Sequence, residues 1–212
     1  MSDPTEPLPT TFVVPIFPLP DVTLFPQTFL PLHVFEARYR AMVGDALARD
    51  RRLAVTRLEP GYERTYEGRP AVRPVAGVGH IVNWERLSNG RYNILLKGLA
   101  RMTIEQELPA DTLYRLVRAR RLDDDPAAGA VEPLVARIRA ACGRLLKVLD
   151  RPGDLLDGVL AASQPPATIA DRAAAAFLPD SALRQELLET LAVDRRLERV
   201  SAALEALVDE LT

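Results

Sequence analysis

Hydrophobic positions near the start of the chain fall in three short runs, 12–19, 22–25 and 29–35, which Pro15, Pro18, Pro20, Pro26 and Pro31 cut apart. Proline fixes φ and carries no N–H, so it belongs at strand ends and sheet edges, and this spacing predicts short, bent, extended segments. The period then changes. Val34, Phe35, Tyr39, Met42, Val43 and Leu47 recur at three and four, which predicts an amphipathic helix over 35–49. A strand follows at 52–58, then a loop over 60–74 that holds Gly61, Gly68, Tyr62 and Tyr66. Residues 75–83 read as a strand, with Gly77 and Gly79 marking a bulge or a close backbone approach. Asn89-Gly90 predicts a two-residue hairpin loop between 80–87 and 91–97. A further strand, 97–104, bends at Gly98, and 113–122 closes the set. Many short strands with one early helix read as a small, partly open barrel.

The pattern breaks at Asp123-Asp124-Asp125-Pro126-Ala127-Ala128-Gly129, and beyond it the period is helical. Leu134, Val135, Ile138, Cys142, Leu145, Leu146 and Leu149 form one stripe, and a short helix is expected over 155–162. Thr168 and Asp171 suggest a capping box for a helix running to Phe177. Pro179-Asp180-Ser181 breaks and recaps for a helix over 183–191. A last helix over 194–211 buries Leu197, Val200, Leu204, Leu207 and Val208. The expectation is an α+β chain with two domains, a strand-rich one over 12–122 and a C-terminal helical bundle over 130–212.

Charge supports that division. Residues 1–122 carry 17 Lys and Arg against 13 Asp and Glu, and residues 123–212 carry 10 against 16. The whole is ordinary for a globular protein, 48% hydrophobic with a net charge of −2, and needs no staples at 212 residues. Cys142 is the only cysteine, which excludes an intrachain disulfide and a thiolate zinc cluster. No apolar run approaches the length of a membrane helix, and the N-terminus lacks a signal-peptide layout, so a cytoplasmic protein is expected. Residues 1–11 are polar and proline-rich and are expected to fray.

The residues 17–19 (Phe-Pro-Leu), 24–26 (Leu-Phe-Pro) and Leu30-Pro31-Leu32-His33-Val34-Phe35-Glu36-Ala37-Arg38-Tyr39 resemble the opening of the Lon protease N-terminal domain. The likeness extends to stand-alone bacterial proteins built from that domain. Leu183-Arg184-Gln185-Glu186-Leu187-Leu188-Glu189 and Arg195-Arg196-Leu197 resemble the family's helical tail. The resemblance implies a PUA-like barrel and a module that recognises unfolded or damaged polypeptides. A separate ATP-dependent protease is an implied partner, and a homodimer is compatible.

Catalytic chemistry has few residues to work with. Lys97 and Lys147 are the only lysines, and neither stands in a phosphate-binding loop or beside a serine motif of the kind an ATPase or serine–lysine peptidase needs. No cofactor or metal site is expected. His33 and His80, the only imidazoles, read as structural hydrogen-bonding groups. With Glu36, Arg38 and Tyr39, His33 is expected to anchor the strand-to-helix junction, and Arg38 is the residue that could hold a carboxylate ligand. Phe29, Leu30, Tyr62, Tyr66 and Trp84, large groups on or near loops, are the candidate polypeptide-binding residues, with core packing as the competing role. The competing function is RNA binding through Tyr114, Arg115, Arg118, Arg120 and Arg121, which the interspersed acids disfavour. A small-molecule enzyme is the third reading, and no residue set supports it.

Overall fold

A computed structural model of the chain describes residues 8–66, 68–109, 111–152, 160–161 and 163–212. The chain divides into two compact units, Met1–Leu122 and Asp123–Thr212. The first is a six-stranded sheet with one α-helix; the second holds four described helices, so the class is α+β.

The strands of the first unit are β1 (Thr11–Leu19), β2 (Phe29–Val34), β3 (Arg52–Arg57), β4 (Val75–Arg86), β5 (Tyr92–Leu108) and β6 (Arg115–Leu122), with α1 (Ala37–Leu47) between β2 and β3. Their order is β2-β5-β4-β3-β1-β6, and β5 also pairs with β6, so the ladders from β5 through β4, β3, β1 and β6 return to β5. Only β1 and β3 run parallel. Strand β3 is buried along Leu53, Ala54, Val55 and Thr56 because apolar groups cover both faces. One cluster, with Phe17, Leu53, Val55, Ile81 and Leu96, receives Tyr39, Met42, Val43 and Ala46 of α1. The other holds Val14, Ile16, Ala54, Val78, Met102 and Val117.

Several expectations need correction. The segments 91–97 and 97–104 are one continuous strand, β5, which pairs with β2 over its first half and β6 over its second. Gly98 serves close packing: a Cβ there would lie 2.0 Å from the Phe25 carbonyl oxygen, and one on Gly77 1.8 Å from that of Leu24. The segment holding Leu24 and Phe25, both fully buried, thus lies with its backbone against the two glycines. The β4–β5 hairpin has a three-residue loop, since Leu87 N–H donates to Arg91 O and Gly90 N–H to Leu87 O, both at 2.9 Å. Gly90 alone takes the left-handed conformation, at φ 77°, as in a type I turn followed by a glycine. Residues 8–10 do not fray: Leu8 is buried, and Arg121 donates to its carbonyl (2.8 Å).

The second unit comprises α2 (Glu132–Val148), α3 (Pro166–Phe177), α4 (Ser181–Glu189) and α5 (Val193–Leu211), with α2 and α3 both packed on α5. Ile138, Cys142 and Leu145 of α2 and Leu197, Val200 and Leu204 of α5 are fully buried, as their spacing predicts; Leu149 lies past the end of α2 and is exposed. Residues 155–159 and 162 of the expected short helix lie outside the described residues. The capping box at Thr168 and Asp171 does not form. Helix α3 starts three residues earlier than that box would place it, at Pro166, where proline suits a first turn, so Asp171 falls inside it and is buried. Its partner is Arg196, fully buried on α5, at 3.2 Å from Nε; Asp124 takes both Nη atoms at 2.9 Å, and Thr190 O accepts from Nη1 at 2.7 Å. Asp180 caps α4 as expected, accepting from the Ala182 and Leu183 amides.

Candidate functional site

Strand β2 has β5 as its single neighbour in the sheet, which leaves its other edge open among the described residues. Gly98 N–H donates to Thr28 O, and by antiparallel alternation Leu30, Leu32 and Val34 turn their peptide groups to β5 while Phe29, Pro31 and His33 turn theirs to the open edge. Pro31 has no N–H to lose there. The same alternation puts the side chains of Phe29, Pro31 and His33 outward, in rows with Lys97, Leu95 and Asn93 of β5. Phe29 is 58% exposed. So is Phe35, which precedes α1 and does not join its buried face as the spacing suggested; its ring stacks toward His33 at 6.3 Å. His33 Nδ1–H donates to Asn93 Oδ1 (2.8 Å), and Asn93 in turn donates to Glu85 (3.3 Å). The result is an apolar strip, Phe29, Pro31 and Phe35, beside unpaired strand backbone. Apolar side chains and open peptide groups together offer an extended chain both area and hydrogen bonds.

The other expected residues lie elsewhere. Leu30 is half-buried against the core. Trp84 shares a row with Ile94 and Leu32, so it is on the opposite face from Phe29, with the Arg51 guanidinium 4.6 Å over its ring. Tyr62 opens a short 3-10 turn (Tyr62–Thr65) and Tyr66 follows it, both half-buried, with rings 6.0 Å apart. Tyr66 joins the junction residues: its hydroxyl donates to Glu36 Oε1 (2.6 Å). Arg38 donates through Nε to Glu36 Oε2 (3.0 Å) and through Nη1 to Tyr66 O (3.2 Å), with its guanidinium between the rings of Tyr39 (4.7 Å) and Tyr66 (4.9 Å). Glu36, Arg38, Tyr39 and Tyr66 therefore form one cluster that ties the 61–66 segment to the start of α1. Burial pushes the Tyr39 hydroxyl up to about 12, and burial with the Glu36 carboxylate raises that of Tyr66.

Beside this cluster lies a cleft of about 280 Å³ lined by Pro18, Arg38, Tyr39, Arg69, Leu113 and Arg115, with Ile16 and Tyr114 in its wall. The sequence shows Arg115 only as part of a basic run and does not bring Arg69 to it, because the loop before β4 and the start of β6 must be folded together first. Both bind Glu107, at 2.8 Å from Arg69 and through a two-pronged contact (3.1 and 2.9 Å) from Arg115. The basic run on β6 is largely answered in the same manner: Arg118 by Gln106, Arg120 by Glu105 and Arg121 by the Leu8 carbonyl. His80 is buried, and burial with the charges of Arg51 and Arg52 lowers its pKa, which keeps it neutral at pH 7. Burial pushes the Cys142 thiol up to about 12, far from a reactive thiolate. Among the described residues no group of three or more His, Cys, Asp or Glu could hold a metal ion, and no helix is long and apolar enough to cross a membrane.

Comparison with known proteins adds a consistent answer. The profile of the ATP-dependent protease La (LON) substrate-binding domain matches residues 13–206. A Lon protease of Roseiflexus castenholzii is 33% identical over 91% of this chain, which corresponds to 24% of that protein. Lon protease 2 of Sorangium cellulosum is 29% identical over 95% of the chain and 25% of its own length. The chain spans about a quarter of the length of the curated relatives it matches. Among solved structures, the N-terminal domain of a Mycobacterium avium complex Lon protease superposes with a TM-score of 0.74 at 19% identity, covering 92% of this chain and 98% of that one. A Lon N-terminal domain protein from Xanthomonas campestris does so at 0.63 and 22% identity, covering 90% and 98%.

Proposed function

The chain belongs to the Lon substrate-binding domain family, and from that premise we propose that it is a polypeptide-binding module which breaks no bonds itself. It holds unfolded or damaged chains in the cytoplasm and passes them to an ATP-dependent protease. The observation that carries this reading is the open edge of β2 with Phe29 and Phe35 exposed beside it. An unfolded segment added to that edge gains main-chain hydrogen bonds whatever its sequence, while the two rings reward apolar residues along it. In the same reading the closed cycle of strand pairings is a small PUA-like barrel, the helices of the second unit form a bundle, and the domains run over 12–122 and 130–212. RNA binding finds less support, since the β6 arginines are matched by acids, an amide and a carbonyl and present no continuous positive stripe.

The experiment is a titration of fluorescently labelled, reduced and alkylated lysozyme against the 212-residue chain. Wild type should bind, and the Phe29→Ser/Phe35→Ser variant should bind about tenfold or more weakly, the loss usual for an aromatic anchor. A wild type that does not bind, or a folded variant that binds as well, refutes the assignment.

A further inference from the structure

We propose that the cleft formed by Pro18, Arg38, Tyr39, Arg69, Leu113 and Arg115 receives the C-terminal end of a polypeptide, its free carboxylate on the arginines and its last, apolar side chain against Pro18 and Leu113. This rests on the polypeptide-binding reading and names which chain ends the module takes.

Among the described residues the lining carries three guanidinium groups and no acidic side chain. Among the described residues Glu36 and Glu107 stand behind it as counter-ions, two against three, so the described groups leave an excess positive charge facing the cleft. Those acids also fix the geometry. Arg115 is held by both oxygens of Glu107 and by Pro70 O (2.8 Å), and Arg38 by Glu36 and Tyr66 O. Each guanidinium has five N–H groups, and these contacts leave some of them unused. Arg69 is engaged through Nη1 alone and is exposed, so its Nε and Nη2 are free to meet an arriving anion among the described residues. The Tyr39 hydroxyl has no hydrogen-bond partner among the described residues, although the residue is buried and lines the cleft. Like any phenol it is protonated at neutral pH, and burial pushes its pKa further up to about 12, so it is a standing donor. A phenol and planar guanidiniums make a carboxylate receptor, because two-pronged N–H donation matches the two oxygens.

The apolar part of the lining selects the chain end over other carboxylates. A terminal residue carries its carboxylate and its side chain on one Cα, and so presents charge and apolar surface within a single residue's width. Pro18, the Tyr114 ring and Leu113 (70% exposed) supply apolar surface beside the cations at that scale. An internal Asp or Glu brings its carboxylate on a stem with the main chain behind it, and a free small acid leaves the apolar wall uncovered.

The test uses the full chain and a short fluorescein-labelled peptide ending in leucine, made as the free acid and as the amide, with fluorescence anisotropy as the readout. The acid should bind about tenfold more tightly than the amide, the scale of one charge-assisted hydrogen-bonded contact, and the gap should narrow as salt rises. Arg69→Gln, at an exposed position, and Tyr39→Phe, which removes one oxygen, should each bring the acid toward the amide's affinity. Equal binding of acid and amide overturns the inference and leaves the edge-strand reading standing, because that reading is judged on unfolded lysozyme and the Phe29/Phe35 variant. A preference for the acid that survives both substitutions, with thermal melts showing the variants folded, overturns it by placing the carboxylate elsewhere. Displacement of the peptide by acetate at concentrations near the peptide's own overturns it in favour of a small-acid site, and failure of both peptides to bind overturns it outright.

Discussion

In the sheet unit the tightest packing is backbone against backbone, where the Leu24 and Phe25 carbonyls rest on Gly77 and Gly98. In the helical unit the most demanding buried feature is a charge, Arg196, closed in between Asp171 on α3 and Asp124 at the start of the unit. One solution depends on the absence of a side chain, the other on a buried cation that needs its counter-ions in place. The difference decides how each unit tolerates change. The glycine contacts have no give, because the opposing atoms are main chain, whereas the ion pair is replaceable as a set but not one member at a time.

The largest effect should come from Gly98→Ala. A Cβ at 2.0 Å from the Phe25 oxygen forces the buried segment off the sheet, at a cost of about 4 kcal/mol, above the usual overpacking range. Urea unfolding followed by tryptophan fluorescence reports it, since Trp84 lies in this unit. A loss under about 1 kcal/mol would mean the segment slides freely and would erase the contrast drawn above. Arg196→Met comes next, at about 3 kcal/mol, because it removes the cation that faces the buried Asp171 carboxylate. Adding Asp171→Leu should recover most of that loss in urea melts followed by far-UV circular dichroism, and no recovery would show that Asp124 is the dominant partner. Asp180→Ala should cost about 1 kcal/mol by removing the α4 cap, again in the helical unit. The smallest effect is one of pH. Tyr39 and Tyr114 are pushed up to about 12, both chiefly by burial, with Asp45 adding to the shift of Tyr114. The unfolded chain releases those protons near the ordinary phenol value of about 10, so stability is intact below that pH and falls as pH rises toward 12. Tyr114→Phe should flatten part of the fall in thermal midpoint, and a curve unchanged in the variant would remove Tyr114 from the account.

How far each unit could be read from the chain follows from the same contrast. Helical stripes such as Ile138-Cys142-Leu145 and Leu197-Val200-Leu204 are local, three to four residues apart, so spacing alone exposes them. Asp171 misled for the opposite reason: a local capping motif competed with a buried ion pair whose partner lies on another helix. In the sheet unit the strands were legible by composition, but the two-residue loop predicted at Asn89-Gly90 became a three-residue one. Turn type depends on the register of β4 against β5, which a dipeptide does not carry. Of the candidate binding residues, Phe29 was legible as an apolar group in a proline-broken strand, yet Phe35 was assigned to the helix face because its spacing fits. Arg69 was beyond reach and Arg115 was legible only as part of a basic run, since a cleft built from a loop and a strand start far apart in the chain has no period.

Sequence alone determined the family, the change from strands to helices near residue 123, the single inert cysteine and the capped start of α4, all of them properties of neighbouring residues or of composition. Among the described residues, the tertiary structure decided which strand was left with an open edge, that Gly77 and Gly98 receive another segment's backbone, and that three arginines line one cleft beside a phenol without a hydrogen-bond partner. These are long-range facts: pairing order and side-chain convergence arise only when segments tens of residues apart are brought together, and local propensity is silent about that choice.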